Sequence, residues 1–163
     1  MTSKPALRIV RSMPNTPVKV RKGSVAVTLS QGCTKEDREV VFNIFSSVGR
    51  CVEIPERLQN SFAAMAGSGP AYIYQVIEAL ADGGVMMGLP RDLAQEHAAA
   101  MVEGAASMVL SQGKHPGQLK DEVCSPGGST IRGVEQLERG GVRAACMAAV
   151  KAAAERNEEL GKK

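Results

Sequence analysis

The segment Ser24-Val-Ala-Val-Thr-Leu29 is followed by Thr34-Lys-Glu-Asp37 and then, after an apolar-periodic run, by Arg50-Cys-Val-Glu-Ile54. The first and third segments have the β-branched content of strands. The threonine of the second segment, with an aspartate three residues later, is typical of a capping box that opens a helix. We therefore predict a strand, a helix to about Ser47 and a second strand, which is α/β architecture. Gly49 is predicted to end the helix in a left-handed conformation.

The region before this unit is rich in basic residues, and the first acid of the chain is Glu36. An acid-poor start resembles that of organellar transit peptides. Three prolines in the same region would break an amphipathic helix. Leu7, Ile9 and Val10 instead favour a short strand that runs into the loop Met13-Pro-Asn-Thr-Pro17.

From Leu58 onward the pattern is helical and no further strand is predicted. We expect helices over 70–87, from a cap at Asp92 to about Ser111, from the Ser-Thr pair at 129–130 to Arg139, and beyond the glycine pair 140–141. The inward face of the second of these is predicted to contain Leu93, Ala100, Met101, Ala105, Met108 and Val109. The change of pattern predicts two domains, residues 1–56 and 57–163.

Composition excludes several classes of function. Tryptophan is absent and aromatics make up 3%, so small residues must let the helices approach closely. A net charge of +3 without aromatics interleaved in a basic stripe argues against nucleic-acid binding. No apolar run reaches the roughly 20 residues that span a bilayer. The four cysteines and two histidines have no metal-ligand spacing, so we expect no metal and reduced thiols, as in the cytoplasm.

The run Gly67-Ser-Gly69 invites comparison with the dinucleotide-binding fingerprint Gly-x-Gly-x-x-Gly. Tyr72 occupies the third glycine position, and Pro70 removes an amide that a phosphate would need. The residues before the run are not strand-like. We therefore predict a junction between helices.

The stretch Asp121-Glu-Val-Cys-Ser-Pro-Gly-Gly-Ser-Thr130 is a candidate anion site. Two glycines after a Ser-Pro pair permit a tight turn, and the amides that open the next helix have no intrahelical partner. Such amides attract a carboxylate or a phosphate. The alternative is an ordinary turn in which Ser129 caps the helix.

The run from His115 to Thr130, followed by Leu137-Glu-Arg-Gly-Gly-Val-Arg143, closely resembles the signature of pyrroline-5-carboxylate reductases. Met13–Pro17, Gly67–Tyr72 and Ala79–Gly84 resemble the family in the same order, so the likeness covers essentially the whole chain. It implies that NADPH or NADH reduces the C=N bond of Δ1-pyrroline-5-carboxylate to give L-proline. It also implies the end of a Rossmann-like nucleotide-binding domain followed by an all-α dimerisation domain, hence an α+β and mostly helical fold.

The resemblance also implies the site residues. The substrate carboxylate would be held by Ser125, Gly127, Gly128, Ser129 and Thr130. The Thr130 hydroxyl would approach the ring nitrogen and would be the catalytic group. The coenzyme would meet Asn15, Thr16, Glu56 and Glu122.

Members of this family begin with a strand and a glycine-rich turn that binds the coenzyme phosphates, and Met1 aligns downstream of that turn. Two hypotheses therefore stay open. The first is a reductase that acts on its small-molecule substrate as a homodimer or higher homo-oligomer, in the cytoplasm and without nucleic acid or membrane. The second is a catalytically incompetent dimerisation module that associates with a full-length reductase.

Overall fold

The computed structural model describes residues 6–162, in which a small sheet precedes a series of helices. The strands are β1 (Val10–Met13), β2 (Gly23–Leu29) and β3 (Gly49–Glu53). The helices are α1 (Lys35–Ser46), α2 (Gln59–Phe62), α3 (Gly69–Met86), α4 (Arg91–Gln112), α5 (Pro116–Val123), α6 (Ser129–Arg139) and α7 (Val142–Gly161). Two 3-10 turns (Thr16–Val20 and Glu56–Leu58) and a π-helical segment (Ala63–Gly67) complete the list. The predicted α+β, mostly helical class is confirmed.

The sheet has the order β1-β2-β3, with β1 antiparallel and β3 parallel to β2. Val25, Ala26 and Val27 of β2 are completely buried, so the central strand is covered on both faces. The strands predicted around β2 and β3 are confirmed. The first strand begins only at Val10, and Leu7, which was assigned to it, is 76% exposed.

The predicted capping box opens α1. The Thr34 hydroxyl accepts from the Asp37 amide at 3.2 Å, and the Asp37 carboxylate accepts from the Thr34 amide at 2.9 Å. The predicted left-handed cap at Gly49 is wrong. The C-cap is Ser47 in a right-handed conformation, and Gly49 is already the first residue of β3, because the chain enters the sheet directly after the helix.

Thr34→Ala is expected to lower the free energy of unfolding by about 1 kcal/mol, because the Asp37 amide loses its acceptor. Urea denaturation measures this change. Thr34→Ser keeps the hydroxyl and is the matched control. Equal destabilisation by both variants would contradict a capping role.

The Glu36 carboxyl in the first turn of α1 has a lowered pKa, because it is hydrogen-bonded to its own backbone amide and to the Thr34 side chain. A carboxyl group with a lowered folded-state pKa stabilises the protein at pH values above its unfolded-state pKa. This contribution to the free energy of unfolding is lost as the pH falls through the folded-state pKa. We expect Glu36→Gln to flatten the loss of stability in that acid window. Thermal unfolding against pH checks this, and parallel curves for both proteins would refute it.

The described residues divide into two compact units. One contains residues up to Ala71 together with those from Ala148 onward, and the other is Tyr72–Met147. In the first unit the Asn157 amide group donates to the Asn60 carbonyl at 3.2 Å, which ties the end of α7 to α2. The boundary expected between residues 56 and 57 stays a prediction.

Small residues build the core of the second unit, as the composition predicted. Ala81 of α3 and Ala94 and Ala98 of α4 form a buried cluster, against which Ile77 and Val85 pack. The expected inward face of α4 is wrong within this chain. Ala94 and Ala98 are buried, whereas three large members of the predicted face are about half exposed: Leu93 (43%), Met101 (50%) and Met108 (44%).

The cap predicted for α4 is also wrong. Pro90 is the N-cap residue and Asp92 makes no capping hydrogen bond. Proline fixes the extended backbone that precedes the helix, so the helix starts two residues earlier than a cap at Asp92 would dictate. Within the described part of the chain, no helix combines the length and the apolar character needed to cross a bilayer.

Candidate functional site: a glycine turn and a strand-end pocket

The segment Ser125–Thr130, called the glycine turn below, connects α5 to α6. The Gly128 amide donates to the Ser125 carbonyl at 3.1 Å and closes the turn. Gly127 has φ +70°, a left-handed conformation that L side chains rarely adopt. A Cβ atom on Gly128 would lie 2.4 Å from the Ser125 hydroxyl oxygen. A side chain is therefore strained at Gly127 by the backbone angle, and at Gly128 it would force the Ser125 hydroxyl to move.

Helix α6 begins without a side-chain cap. Gly128 is the N-cap residue, with φ −71° and ψ 168°, and it has no side chain to accept a hydrogen bond. The alternative interpretation, in which Ser129 caps the helix, is wrong, because Ser129 is already the first helical residue. The amides of Ser129, Thr130 and Ile131 have no intrahelical acceptor and carry the positive end of the helix dipole. The turn can therefore offer several donors to one anionic group.

The acids that precede the turn are paired with lysines. Lys120 lies 2.9 Å from Asp121, and this hydrogen bond raises the pKa of the Lys120 ammonium group. Lys114 lies 2.7 Å from Glu122. Both carboxylates are thus partly neutralised, which reduces their repulsion of an anion at the turn.

Gly127→Ala is expected to lower the free energy of unfolding by about 1–2 kcal/mol, because alanine is strained at a positive φ. Gly133→Ala is the matched control. Gly133 lies inside α6 with no neighbouring atom within 4 Å of an added Cβ, so alanine there should stabilise the helix by up to about 1 kcal/mol. Urea denaturation compares the two, and stabilisation by both would contradict the turn geometry.

Asn15, one of the expected coenzyme contacts, lies in the first unit and is engaged at both ends of its carboxamide. Its amide group donates to the Ala66 carbonyl at 3.0 Å, and its oxygen accepts from the Ser24 amide at 2.9 Å. The side chain thereby fixes the loop after β1 to β2 and to the π-helical segment. Its neighbour Thr16 is exposed at the start of a 3-10 turn.

A pocket with both polar and apolar lining residues lies at the carboxyl ends of β2 and β3. It is called the strand-end pocket and is lined by Thr28, Leu29, Glu53, Ile54, Pro55 and Glu56. Arg11 of β1 forms an ion pair with Glu56, and Arg38 of α1 lies 2.7 Å from Glu53. The carboxyl ends of parallel strands are where open α/β sheets bind their ligands. Carboxylates there can accept hydrogen bonds from ligand hydroxyl or amide groups.

Two residues of this region escaped the sequence-based predictions. Gln59, at the start of α2, is only 1% exposed, and its amide group donates to the Thr28 hydroxyl at 2.7 Å. The Thr28 hydroxyl in turn donates to the Ile54 carbonyl at 2.7 Å. A glutamine at the start of a helical run is an ordinary helix former, and only tertiary packing reveals its burial. No sequence signal distinguishes it.

Neither the glycine turn nor the strand-end pocket contains a metal-binding cluster or a disulfide among the described residues. Among residues 6–162, no cluster of three or more histidine, cysteine or acidic residues could hold a metal ion. His115 is the N-cap of α5, where its Nδ1 atom accepts from the Gly117 amide at 3.1 Å. All four cysteines are free; burial raises the pKa of the Cys51 thiol, and Cys124 beside the turn is half-buried.

A sheet with parallel strands followed by helices is typical of α/β proteins, and comparison with known proteins identifies the family. The family model described as "Pyrroline-5-carboxylate reductase dimerisation" matches residues 56–160. The chain belongs to this family. It is 51% identical to a pyrroline-5-carboxylate reductase of Pisum sativum over 94% of this chain and 56% of that relative. It is 48% identical to the pyrroline-5-carboxylate reductase of Methanosarcina acetivorans over 96% of this chain and 58% of that relative.

Solved structures agree with this relationship. The pyrroline carboxylate reductase of Plasmodium falciparum, crystallised with NADP bound, matches with a TM-score of 0.88 and 38% identity over 94% of this chain and 62% of that one. The reductase of Coxiella burnetii matches with a TM-score of 0.90 and 36% identity, over 94% of this chain and 57% of that one. The chain thus spans somewhat more than half the length of these relatives.

Proposed function

We propose that this chain carries the substrate-binding half of a pyrroline-5-carboxylate reductase, an oxidoreductase of proline biosynthesis. The reaction is reduction of the C=N bond of Δ1-pyrroline-5-carboxylate to L-proline. The observation that supports this most directly is the uncapped, glycine-built start of α6 in a chain of this family. Reduced cysteines are consistent with a cytoplasmic location.

The glycine turn would bind the substrate carboxylate through several amides at once. A single helix-end charge interaction is worth about 0.3–1 kcal/mol when exposed and up to about 2 kcal/mol when partly buried. Micromolar-to-millimolar affinity requires about 4–8 kcal/mol. The free amides of Ser129 and Thr130, with the Ser125 hydroxyl and the open backbone at Gly127 and Gly128, would have to act together. The half-buried position of Gly128 and Thr130 supports this, because removal of water strengthens each bond.

Thr130 is proposed as the catalytic residue. Its hydroxyl lies on the first turn of α6, close in sequence to the amides that would hold the carboxylate. It would donate a hydrogen bond to the ring nitrogen, which gains basicity as the C=N bond is reduced. An unperturbed hydroxyl is a weak acid, so orientation of the ring is its main contribution.

The coenzyme would be NADPH or NADH, which supplies hydride when bound. Asn15 and Thr16, in the loop after β1, are its proposed contacts, and the bonds of the Asn15 carboxamide to Ser24 and Ala66 hold this loop in place. The coenzyme contacts of Glu56, which lies at the opposite end of β2 from Asn15, and of Glu122 stay predictions from the family resemblance. The sequence contains no Gly-x-Gly-x-x-Gly motif for the pyrophosphate.

A homodimer, or a higher homo-oligomer, is the proposed assembly. Large apolar side chains are exposed on helices of the second unit, including Met86, Met101, Met108, Leu110, Ile131 and Leu137. Apolar surface of this kind is typical of protein interfaces. The match to a dimerisation family also supports the second candidate, a module that dimerises without catalysis.

NADPH oxidation dependent on pyrroline-5-carboxylate, measured with the purified chain, separates these two candidates. A reductase oxidises NADPH only when pyrroline-5-carboxylate is also present. A stable dimer by light scattering, with neither NADPH binding nor oxidation, would leave the dimerisation module as the function of this chain. A monomer without activity would refute both.

Thr130→Ala is expected to lower turnover by about 100-fold, the usual cost of losing one positioned hydrogen-bond donor in an active site. The dimer should stay intact, because only one hydroxyl and one methyl group are removed. Steady-state kinetics and light scattering measure the two properties. Thr130→Ser, the matched control, keeps the hydroxyl and should retain most of the activity. Unchanged turnover in Thr130→Ala would remove this residue from the mechanism.

A further inference from the structure

The junction between the π-helical segment and α3 lacks one backbone donor. In a continuous α-helix, the carbonyl of Ala66 would accept from the amide of residue 70. Pro70 has no amide hydrogen, and its ring crowds the carbonyl four residues before it. The next amide, that of Ala71, donates to the Ser68 carbonyl at 3.0 Å. The carbonyl of Ala66, a residue that is only 9% exposed, therefore needs a donor from another part of the chain.

The side chain of Asn15 supplies this donor. Its amide group donates to the Ala66 carbonyl at 3.0 Å, and its Oδ1 atom accepts from the Ser24 amide at 2.9 Å. The Asn15 carbonyl accepts from the Val18 amide at 3.2 Å, so the backbone of the loop is tied to the same residue. One half-buried carboxamide thus joins the loop after β1 to the start of β2 and to a helix junction 51 residues away along the chain.

The loop after β1 also packs closely against the π-helical segment. A Cβ atom added to Gly67 would lie 2.6 Å from the Met13 Cε atom. Segments of π-helix are rare and frequently lie at functional sites. Thr16, the residue after Asn15, is exposed at the start of the 3-10 turn. The loop therefore presents a hydroxyl group to solvent while the neighbouring side chain holds its backbone.

We propose that Asn15 is a positioning residue for the segment Met13–Pro17, called the coenzyme loop below. Its amide group replaces the donor that Pro70 lacks, and the loop so held presents the Thr16 side chain to the coenzyme. This inference rests on the proposed function, since it takes NADPH or NADH as the ligand of the loop. A carboxamide suits this role because a short side chain then offers a donor and an acceptor at once.

The first test measures amide hydrogen exchange in Asn15→Ala. This variant removes the acceptor of the Ser24 amide and the donor at the helix junction. We expect exchange of the Ser24 and Ser68 amides to accelerate about tenfold, as loss of one hydrogen bond predicts for local opening. Ser68 reports on the junction because its amide donates to the Ala63 carbonyl at 2.9 Å. Asn43→Ala, at an exposed position of α1, is the control and should change neither rate.

Pro70→Ala then tests whether the missing donor is the reason for the effect. The substituted alanine supplies an amide that can donate to the carbonyl four residues before it. In this background, Asn15→Ala should accelerate Ser68 exchange by less than about threefold. Ser24 exchange should still accelerate about tenfold, because its acceptor remains absent. Pro116→Ala, which replaces the proline in the first turn of α5, is the control background and should keep the full effect at Ser68.

The second test measures NADPH binding by fluorescence. Asn15→Ala should raise the Kd for NADPH by about tenfold, because a mobile loop must be ordered on binding. Pro70→Ala should reduce this increase to about threefold, since the new helix amide restores part of the support. Thr16→Val removes the exposed hydroxyl and should raise the Kd by about three- to tenfold with Ser68 exchange unchanged.

An equal effect of Asn15→Ala on Ser68 exchange with and without Pro70→Ala would overturn the proposal. A Kd that stays raised by the full factor in the double variant, although Ser68 exchange recovers, would also overturn it. That result assigns the Asn15 side chain a direct contact with the coenzyme. Absence of NADPH binding to the wild-type chain would refute the coenzyme as ligand of the loop, together with the proposed function. The exchange rates would still decide whether Asn15 replaces the amide that Pro70 lacks.

Discussion

The amides at the start of α6 need an acceptor, and the N-cap residue Gly128 has no side chain to provide one. Gly128 takes the position where serine, threonine or aspartate would usually accept from these amides. In the preceding turn, Gly127 has a positive φ and a Cβ atom at Gly128 would lie 2.4 Å from the Ser125 hydroxyl oxygen, so larger residues are disfavoured at both positions. A capped helix would be more stable, but its cap would occupy the place of a ligand. The proposed binding of a carboxylate depends on the absence of a side-chain cap at Gly128.

In the first compact unit, two carboxamide side chains hold separate elements of the backbone together. Asn15 joins the loop after β1 to β2 and to the π-helical segment, and Gln59 joins α2 to Thr28. Each connects elements that are distant in sequence through a buried or half-buried polar contact. Such contacts contribute modestly to stability but restrict the geometry of the backbone. The strand-end pocket therefore has a fixed rim although its lining residues belong to loops and strand ends.

Local chemistry explains which features the sequence could predict. The capping box of Thr34, the strand at Ser24–Leu29 and the break before α7 depend on neighbouring residues, and all three are confirmed. The inward face of α4 depends on which helix packs against it. Alanines 94 and 98 face α3 in this chain, whereas the larger residues stay exposed.

In the candidate site, too, some features could be predicted from the sequence and others could not. The glycine turn could be recognised because its chemistry is contained in six consecutive residues. The uncapped start at Gly128 rather than Ser129 is a matter of one residue of helix register, which sequence patterns do not resolve. Burial of Gln59 depends on β2 and α2 meeting across about thirty residues of chain, so no local pattern could indicate it.

The most direct test of the central claim is the response of the backbone amide signals of Gly128, Ser129, Thr130 and Ile131 to L-proline and to L-prolinamide in NMR titrations. Prolinamide keeps the ring and replaces the carboxylate by a neutral amide. If the glycine turn binds a carboxylate, L-proline shifts these four signals in a saturable manner and prolinamide does not. Equal shifts with both compounds, or shifts confined to other parts of the chain with L-proline, would contradict the account.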